Sequence, residues 1–442
     1  MKVYLESLGC ARNQVDSEAM LGRLSQAGWE VTKEPFAADV IVVNTCSFIE
    51  PAAEESIDTI LSLGRYKKKG GCRRLVVTGC LPQRYGEAIA AALPEVDLFL
   101  GTGGYDRIVE AVKKRSPLKG CFLPDPGSVD VHAPELRQPV GPKHSAYLKI
   151  AEGCDRHCTY CIIPKLRGAQ RSRPMETLLL EAGGLVAAGA KELVLVAQES
   201  TRYGVDLGTG VTLGHLLERL SELAGQTWIR VMYGHPESIS EEIIRTIARL
   251  PNVCTYFDVP VQHASSSVLK RMGRGYDDGR LMALFSRIRD IAPDAALRTT
   301  VITGFPGESE ADFEVLMAFI ETVEFDHLGA FTYSDGEDLP AHNLSGPVDP
   351  ETAEDRRDRL MSRQQLISTG KNRRFLNTTL PVLIEENPEP GVYVGRTMFQ
   401  APEVDGVTFV DHDGPAPPMV GNVVSVTITD TLEYDLMGHI HV

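Results

Sequence analysis

Apolar and polar positions alternate in distinct rhythms along the chain, and the points where one rhythm gives way to another divide it. Over residues 1 to about 115, short apolar runs at 2–8, 40–44, 75–78 and 96–100 are separated by stretches of helical periodicity. Strands alternating with helices predict a parallel sheet with helices on its faces. Between 116 and 142 the periodicity lapses into Pro and Gly (Pro117, Pro124, Pro126, Gly127, Pro134, Pro139, Gly141, Pro142), which is linker chemistry. Six strand-like runs come next at 146–151, 192–197, 228–232, 256–259, 297–302 and 327–333, with helical spacing at 175–188, 213–223, 240–250, 278–291 and 310–323. Six β/α units predict a partial barrel, open on one side, with its chemistry at the C-terminal ends of the strands. A charged stretch at 351–375 reads as one trailing helix, and the short β segments 380–385, 391–397, 407–410 and 422–429 predict a small closed β-barrel. The expected fold is therefore α/β, with domains at 1–115, 143–375 and 376–442 and a linker at 116–142.

Composition narrows the function classes. With 43% hydrophobic and 24% charged residues, the 442-residue chain is that of a soluble globular protein with too much core for a single domain. The start of the chain runs straight into a strand-like segment without the basic, apolar and small-residue pattern of an export signal, and no uncharged apolar run is long enough to span a bilayer. A cytoplasmic protein without a membrane partner is the expectation. The formal net charge of −15 disfavours a broad grip on nucleic acid and suits a basic protein partner.

Nine cysteines in such a chain point to metal or catalytic duty rather than disulfides. After the strand at 146–151 stand Cys154, Cys158 and Cys161, spaced Cys-x-x-x-Cys-x-x-Cys. Such a loop can hold three corners of an iron-sulfur cubane and leave the fourth iron open. Zinc competes for the same thiols, but structural zinc takes four ligands, and His157, adjacent to Cys158, is poorly placed to be the fourth. Cys10, Cys46 and Cys80 lie far apart in sequence, yet each follows a strand. Parallel strands end on one edge, so three loops can bring these thiols together as a second cradle. The alternative is three buried thiols acting as small hydrophobes. Cys72, Cys121 and Cys254 lack either context and are read as unligated.

The Cys-x-x-x-Cys-x-x-Cys loop, with Tyr160 before its last Cys, resembles that of the radical S-adenosylmethionine (SAM) superfamily. The resemblance implies that SAM chelates the open iron and is cleaved reductively to a 5′-deoxyadenosyl radical. It also implies SAM contacts at Tyr160, at Gln198 after the second barrel strand, and at Gly304 and Glu308 in the turn Thr303-Gly-Phe-Pro-Gly-Glu308. Over nearly its whole length the chain resembles the methylthiotransferase family of these enzymes: an N-terminal cluster domain, a radical SAM barrel and a TRAM-type β-barrel. The segments 7–18, 54–60, 153–165 and 260–265 resemble the ribosomal-protein branch. That branch adds a methylthio group to the β-carbon of an aspartate in small-subunit ribosomal protein twelve. The transfer RNA branch, which modifies an adenosine, tends to read Gln-Ser-Gly where this chain has Gln262-His263-Ala264. At 333–341 the chain departs from the family pattern, and no role is assigned there.

The resemblance implies two 4Fe-4S clusters, one on Cys154, Cys158 and Cys161 and one on Cys10, Cys46 and Cys80. It also implies SAM used both as methyl donor and as radical source, and a low-potential electron donor such as flavodoxin or ferredoxin. No catalytic residue beyond the cluster ligands is expected. Charge adds an independent argument: from 376 onward ten acidic residues face one base, Arg396. Such a barrel would repel a phosphate backbone and steer a basic protein instead. The rival readings are transfer RNA methylthiolation and a non-catalytic metal scaffold that binds ribosomes. His263 could face substrate, although a lone His is more often structural.

Overall fold

The computed structural model describes residues 1–113, 118, 120–131, 137–414 and 417–440. The expected boundary at 115, together with Pro117 and Pro134, lies outside them.

The N-terminal domain is built on β1 (Lys2–Ser7), β2 (Glu30–Val31), β3 (Val40–Thr45), β4 (Arg74–Gly79), β5 (Leu98–Leu100) and β6 (Gly120–Phe122), all parallel, in the order β2-β1-β3-β4-β5-β6. Six helices connect or flank them: α1 (Ala11–Gln26), α2 (Glu50–Gly64), α3 (Tyr66–Lys69), α4 (Cys80–Tyr85), α5 (Glu87–Ala92) and α6 (Ile108–Ala111). The continuous apolar runs of β3 and β4 are buried because helices cover both faces of the sheet. The strand order reverses between β1 and β3, and such a switch point opens a crevice at the carboxyl edge. β6 falls inside the segment expected to be linker. At three residues, Gly120–Phe122, it is too short to show periodicity, and its pairing with β5 makes it a strand.

The central domain opens with β7 (Ser145–Lys149), then β8 (Ala151–Glu152) paired antiparallel with β9 (Arg171–Ser172), with α7 (Ile163–Arg167) between them. It continues with α8 (Met175–Ala187), β10 (Glu192–Val196), α9 (Leu213–Ala224), β11 (Trp228–Val231), α10 (Glu241–Arg249), β12 (Tyr256–Asp258), α11 (Ser266–Arg271), α12 (Asp278–Ile291), β13 (Ala296–Thr303), α13 (Glu310–Val323), β14 (His327–Thr332) and α14 (Pro350–Asn372). Strands β11-β10-β7 and β12-β13-β14 form two parallel sheets joined by an Ile229–Val253 bridge. This is the six-stranded partial barrel expected from the pattern. Local chemistry starts its helices: Ser240 and Asp277 cap α10 and α12, and Ser309 with Asp312 forms a capping box on α13. Ile243, Ile244 and Ile247 bury one face of α10 in the barrel core.

The C-terminal domain is a closed barrel of β15 (Thr379–Glu389), β16 (Val392–Thr397), β17 (Thr408–Asp411), β18 (Val423–Thr431) and β19 (Leu436–Ile440). The alternation of residues does not predict its fifth strand, β19: the run ends in Gly-His-Ile-His-Val, and its place is fixed by pairing with β17 and β18. The loop from 397 to 405 plugs the N-terminal mouth of the central barrel. There the Phe399 carbonyl lies 2.8 Å from His327 Nε2, and Asp405 accepts a 2.6 Å hydrogen bond from Tyr256. Below it, Arg230 donates to Glu192 at 2.8 Å and Arg396 donates to the same carboxylate at 2.6 Å, all three fully or almost fully buried. The interior of the barrel is closed from this end, which leaves the C-terminal mouth for chemistry.

Candidate active site

The C-terminal mouth of the barrel faces the carboxyl edge of the N-terminal sheet, and between them lies one cavity of about 650 Å³. All six cysteines singled out by the sequence line it.

Cys10 precedes α1, Cys46 follows β3, and Cys80 opens α4. The loops approach so closely that a Cβ at Gly9, whose φ is +89°, would stand 2.6 Å from the Cys46 Cβ. A buried polar lattice fixes them. Asn13 donates to the Leu8 and Thr45 carbonyls at 3.0 and 2.9 Å, Asn44 donates to the Asn13 carbonyl at 2.8 Å, and the Ser56 hydroxyl donates to the Cys46 carbonyl at 2.8 Å. Burial pushes the Cys10 thiol up, but Arg12, Arg167 and the first N–H groups of α1 outweigh it and hold it below the ordinary thiol range. Burial dominates at the other two, raising Cys46 and pushing Cys80 up to about 11.

The second trio sits on the loop after β8. The Cys154 N–H donates to the Gly168 carbonyl at 3.0 Å, the Thr159 N–H donates to the Met272 carbonyl at 3.0 Å, and the Arg156 N–H donates to Cys154 Sγ at 3.4 Å. Burial raises Cys154 and pushes Cys161 up to about 12. As bare thiols Cys154 and Cys161 hold their protons at neutral pH, so metal loading must displace them.

The donor set fits iron-sulfur clusters: two groups of three thiols, each borne on loops that open onto a cavity far larger than one ion. Among the described residues no group of His, Cys, Asp and Glu converges to hold a single metal ion.

Arg167 ties the two halves together. It donates to Asp16 of α1 at 2.6 Å, bonds Asn13, lies 3.5 Å from Glu152, and reaches Cys80 Sγ at 3.7 Å. Lys149 joins the same network through Asp16 and through Glu152 at 2.7 Å. From the expected linker, Arg137 bonds Glu18 of α1 and donates to Glu181 of α8 at 2.6 Å, so that segment pins the N-terminal domain to the barrel instead of leaving it loose.

Of the four SAM contacts expected from the sequence, Tyr160 and Gln198 line the cavity and Gly304 and Glu308 do not. A Cβ at Gly304 would stand 2.3 Å from Ala353 Cβ of α14. The Glu308 carboxylate is fully buried, 2.9 Å from Arg356 and 3.6 Å from His263. That turn therefore docks the trailing helix. His263 itself is completely buried and accepts from the Ser265 N–H at 2.9 Å, the structural role.

Three cavity residues present buried polar atoms without a protein partner: Gln198 Oε1, Arg274 Nη1 and His235 Nε2. Gln198 is oriented by donating to Glu152 at 2.7 Å, and Arg274 by donating to the Tyr160 hydroxyl at 3.1 Å. Burial, aided by Arg274, Arg156 and Arg202, drives the His235 imidazole down to about 2, so it is neutral. A carbonyl oxygen and a guanidinium N–H left open in one cavity are what the ammonium and carboxylate of an amino-acid moiety require. Sequence reasoning missed Arg12, Tyr233, His235 and Arg274. They come from the first turn of α1 and from two loops with no shared motif, although Arg12 stands only two residues after a predicted ligand. Tyr233 and Gln262, both lining the cavity, hold left-handed backbone at φ 62° and 68°, a strain that concentrates at functional sites.

Known proteins share this architecture. Residues 2–101 match the family described as "Uncharacterized protein family UPF0004", residues 148–320 the radical SAM superfamily and residues 378–440 the TRAM domain. The chain is 55% identical over 439 residues to the ribosomal protein uS12 methylthiotransferase RimO of Desulfosudis oleivorans, covering 99% of each chain. It is 47% identical to the protein of the same name in Clostridioides difficile, covering 100% of this chain and 99% of that one. Among solved structures it resembles in fold the radical SAM methyltransferase TsrM from Kitasatospora setae (TM-score 0.56, 14% identity, 75% of this chain and 74% of that one). It also resembles the cobalamin-dependent radical SAM enzyme OxsB (TM-score 0.52, 15% identity, 83% and 56%). The superfamily implies SAM and a 4Fe-4S cluster as cofactors, and with that identity over its full length the chain belongs to the RimO family of ribosomal protein uS12 methylthiotransferases, radical SAM enzymes.

Proposed function

We propose that this enzyme adds a methylthio group to the β-carbon of an aspartate in ribosomal protein uS12, and that it does so with two 4Fe-4S clusters. The observation that carries the reading is the convergence of six cysteines, from two domains, on one cavity. Cys154, Cys158 and Cys161 would hold one cluster and Cys10, Cys46 and Cys80 the other. Bound there, the clusters and SAM supply a methyl group, a sulfur atom and a 5′-deoxyadenosyl radical.

The chain's own residues do the rest. Gln198 Oε1 would accept from the SAM ammonium and Arg274 Nη1 would donate to its carboxylate, with Tyr160, held by Arg274, as a wall of the pocket. The ion-pair network from Asp16 through Arg167 to Glu152 fixes one trio against the other, because reacting atoms must meet at about 3 to 3.5 Å. Burial between two domains keeps water from the reacting carbon. An electron donor of low potential, such as flavodoxin or ferredoxin, and a cytoplasmic setting complete the reading.

A protein substrate is favoured over transfer RNA by the β-barrel. Arg396, its one base between 376 and 442, is about 2% exposed and engaged by Glu192 and Glu385. Its surface thus offers acidic side chains and no Lys or Arg to a phosphate backbone. The decisive test is mass spectrometry of uS12 from cells with and without the enzyme, alongside transfer RNA from the same cells. A methylthio mass on uS12 that depends on the enzyme supports the reading, and one found only on transfer RNA overturns it. Iron analysis under anaerobic conditions should give about eight irons per chain, whereas zinc would support a non-catalytic scaffold.

A further inference from the structure

Four arginines line the cavity, and they differ in what neutralises them. Arg156 donates to both oxygens of Glu199 at 2.8 Å and to Glu237 at 2.6 Å. Arg167 is matched by Asp16 and Glu152. Arg274 lies over the Tyr160 and Tyr276 rings beside Cys158, within the shell of the barrel trio, where the SAM carboxylate belongs.

Arg12 differs from all three. Among the described residues it meets no carboxylate: Nη1 donates to the Ala197 carbonyl at 2.9 Å, the guanidinium lies 4.4 Å over the Tyr233 ring, and its other neighbours are the Cys10 thiol and the Arg167 guanidinium. Its backbone belongs to the first turn of α1, and its side chain reaches the ends of β10 and β11. It therefore crosses from beside Cys10 to the barrel strands, inside the cavity that both trios line. That cavity is where a substrate carbon must lie if it is to meet both the radical source on one side and the sulfur on the other. A cation–π contact with the Tyr233 ring steadies the guanidinium, and the N–H groups along the edge of a planar guanidinium are those that pair with a carboxylate. A carboxylate carried into this recess without a partner would incur a desolvation penalty, and a cation already waiting there offsets it.

We propose that Arg12 pairs with the side-chain carboxylate of the target aspartate and is the residue by which the site selects aspartate over its amide. This rests on the reading of uS12 as substrate. The test compares anaerobic binding of uS12 with that of uS12 carrying Asn at the modified position, using enzyme that retains its iron. Wild-type enzyme should prefer the aspartate form about tenfold or more, as a charge-assisted pair implies. Arg12→Gln should bind the two forms within about twofold of each other. Arg12→Lys, which keeps the charge but loses the fork, should keep a reduced preference. A purely structural Arg12 would weaken both forms equally and leave the ratio intact, so an unchanged ratio in Arg12→Gln overturns the proposal. So does an iron-replete Arg12→Lys without any preference, which guards against a Gln variant that fails to fold. Failure of wild-type enzyme to methylthiolate uS12 at all would instead remove the functional reading beneath it.

Discussion

Arg167 Nη2 lies 3.7 Å from the Sγ of Cys80, so the end of α7, the helix that follows the barrel's cysteine loop, touches a thiol of the N-terminal domain. The same guanidinium answers Asp16 on one domain and Glu152 on the other. Charge thus holds the two cysteine trios in register, and deleting that charge should loosen one against the other.

Arg167→Met keeps an unbranched apolar stem and deletes the cation, leaving Lys149 as the partner of two buried carboxylates. Removing one member of a buried ion-pair network costs about 3 kcal/mol or more. The denaturation midpoint of the variant should fall accordingly, and methylthio transfer should fall further than SAM cleavage, because the second depends on one trio alone. Chemical denaturation followed by circular dichroism, with both products assayed, checks this. An unchanged midpoint would show that the network does not join the domains.

The trios have separable tasks. Cys154→Ala should abolish formation of 5′-deoxyadenosine. Cys46→Ala should leave that formation measurable while eliminating methylthio transfer to uS12. Chromatography of the nucleoside and mass spectrometry of the protein read the two activities independently. Retained transfer in Cys46→Ala would end the proposed division.

Much of this site was legible in the sequence, and the reason is geometric. A parallel sheet sends its strand ends to one edge, so cysteines that each follow a strand are placed by topology even when 36 and 34 residues separate Cys10, Cys46 and Cys80. What could not be read were the contacts made by side chains crossing between elements. Gly304 and Glu308 sit in a Gly-rich turn that looks like a ligand loop, but its partner is α14, more than forty residues on. Arg274 lies in a loop without periodicity, and only the fold brings it over Tyr160. The strands β6 and β19 escape the sequence pattern because pairing, rather than their own residues, makes them strands.

The plug between the two barrels should give the protein an acid-sensitive stability. Burial alone would raise Glu192, but Arg396 and Arg230 overcome it and hold the carboxyl at about 2, against an ordinary 4.5. A group whose folded value is depressed stabilises fully above its unfolded value and loses that contribution as pH falls through the folded one. Glu192 should thus contribute on the order of 3 kcal/mol at neutral pH, lost progressively between about 4.5 and 2. Glu192→Gln should be less stable than wild type at pH 7 and should lose less on acidification from pH 5 to 3.5. Denaturation midpoints at those pH values check it, and parallel acid dependence in both proteins would refute it.

The acidic barrel acts at a distance, and its position dictates how. Glu389 pairs across to Val392, which pairs with Asp411, and Glu386 pairs with Val394, so three exposed carboxylates share one outer face. This barrel plugs the N-terminal mouth of the central domain, whereas the cysteines open at the C-terminal mouth. Its charges are too remote to touch the reacting carbon, and their effect must fall on encounter with a basic partner. Replacing Glu386, Glu389 and Asp411 together with Lys should raise KM for uS12 about tenfold at low salt, with kcat much less affected. The difference should shrink as ionic strength approaches about 1 M, where the screening length falls to about 3 Å. Steady-state kinetics across a salt series measures both quantities. A salt-independent loss of kcat in the triple variant would mean that this face serves the fold rather than the substrate.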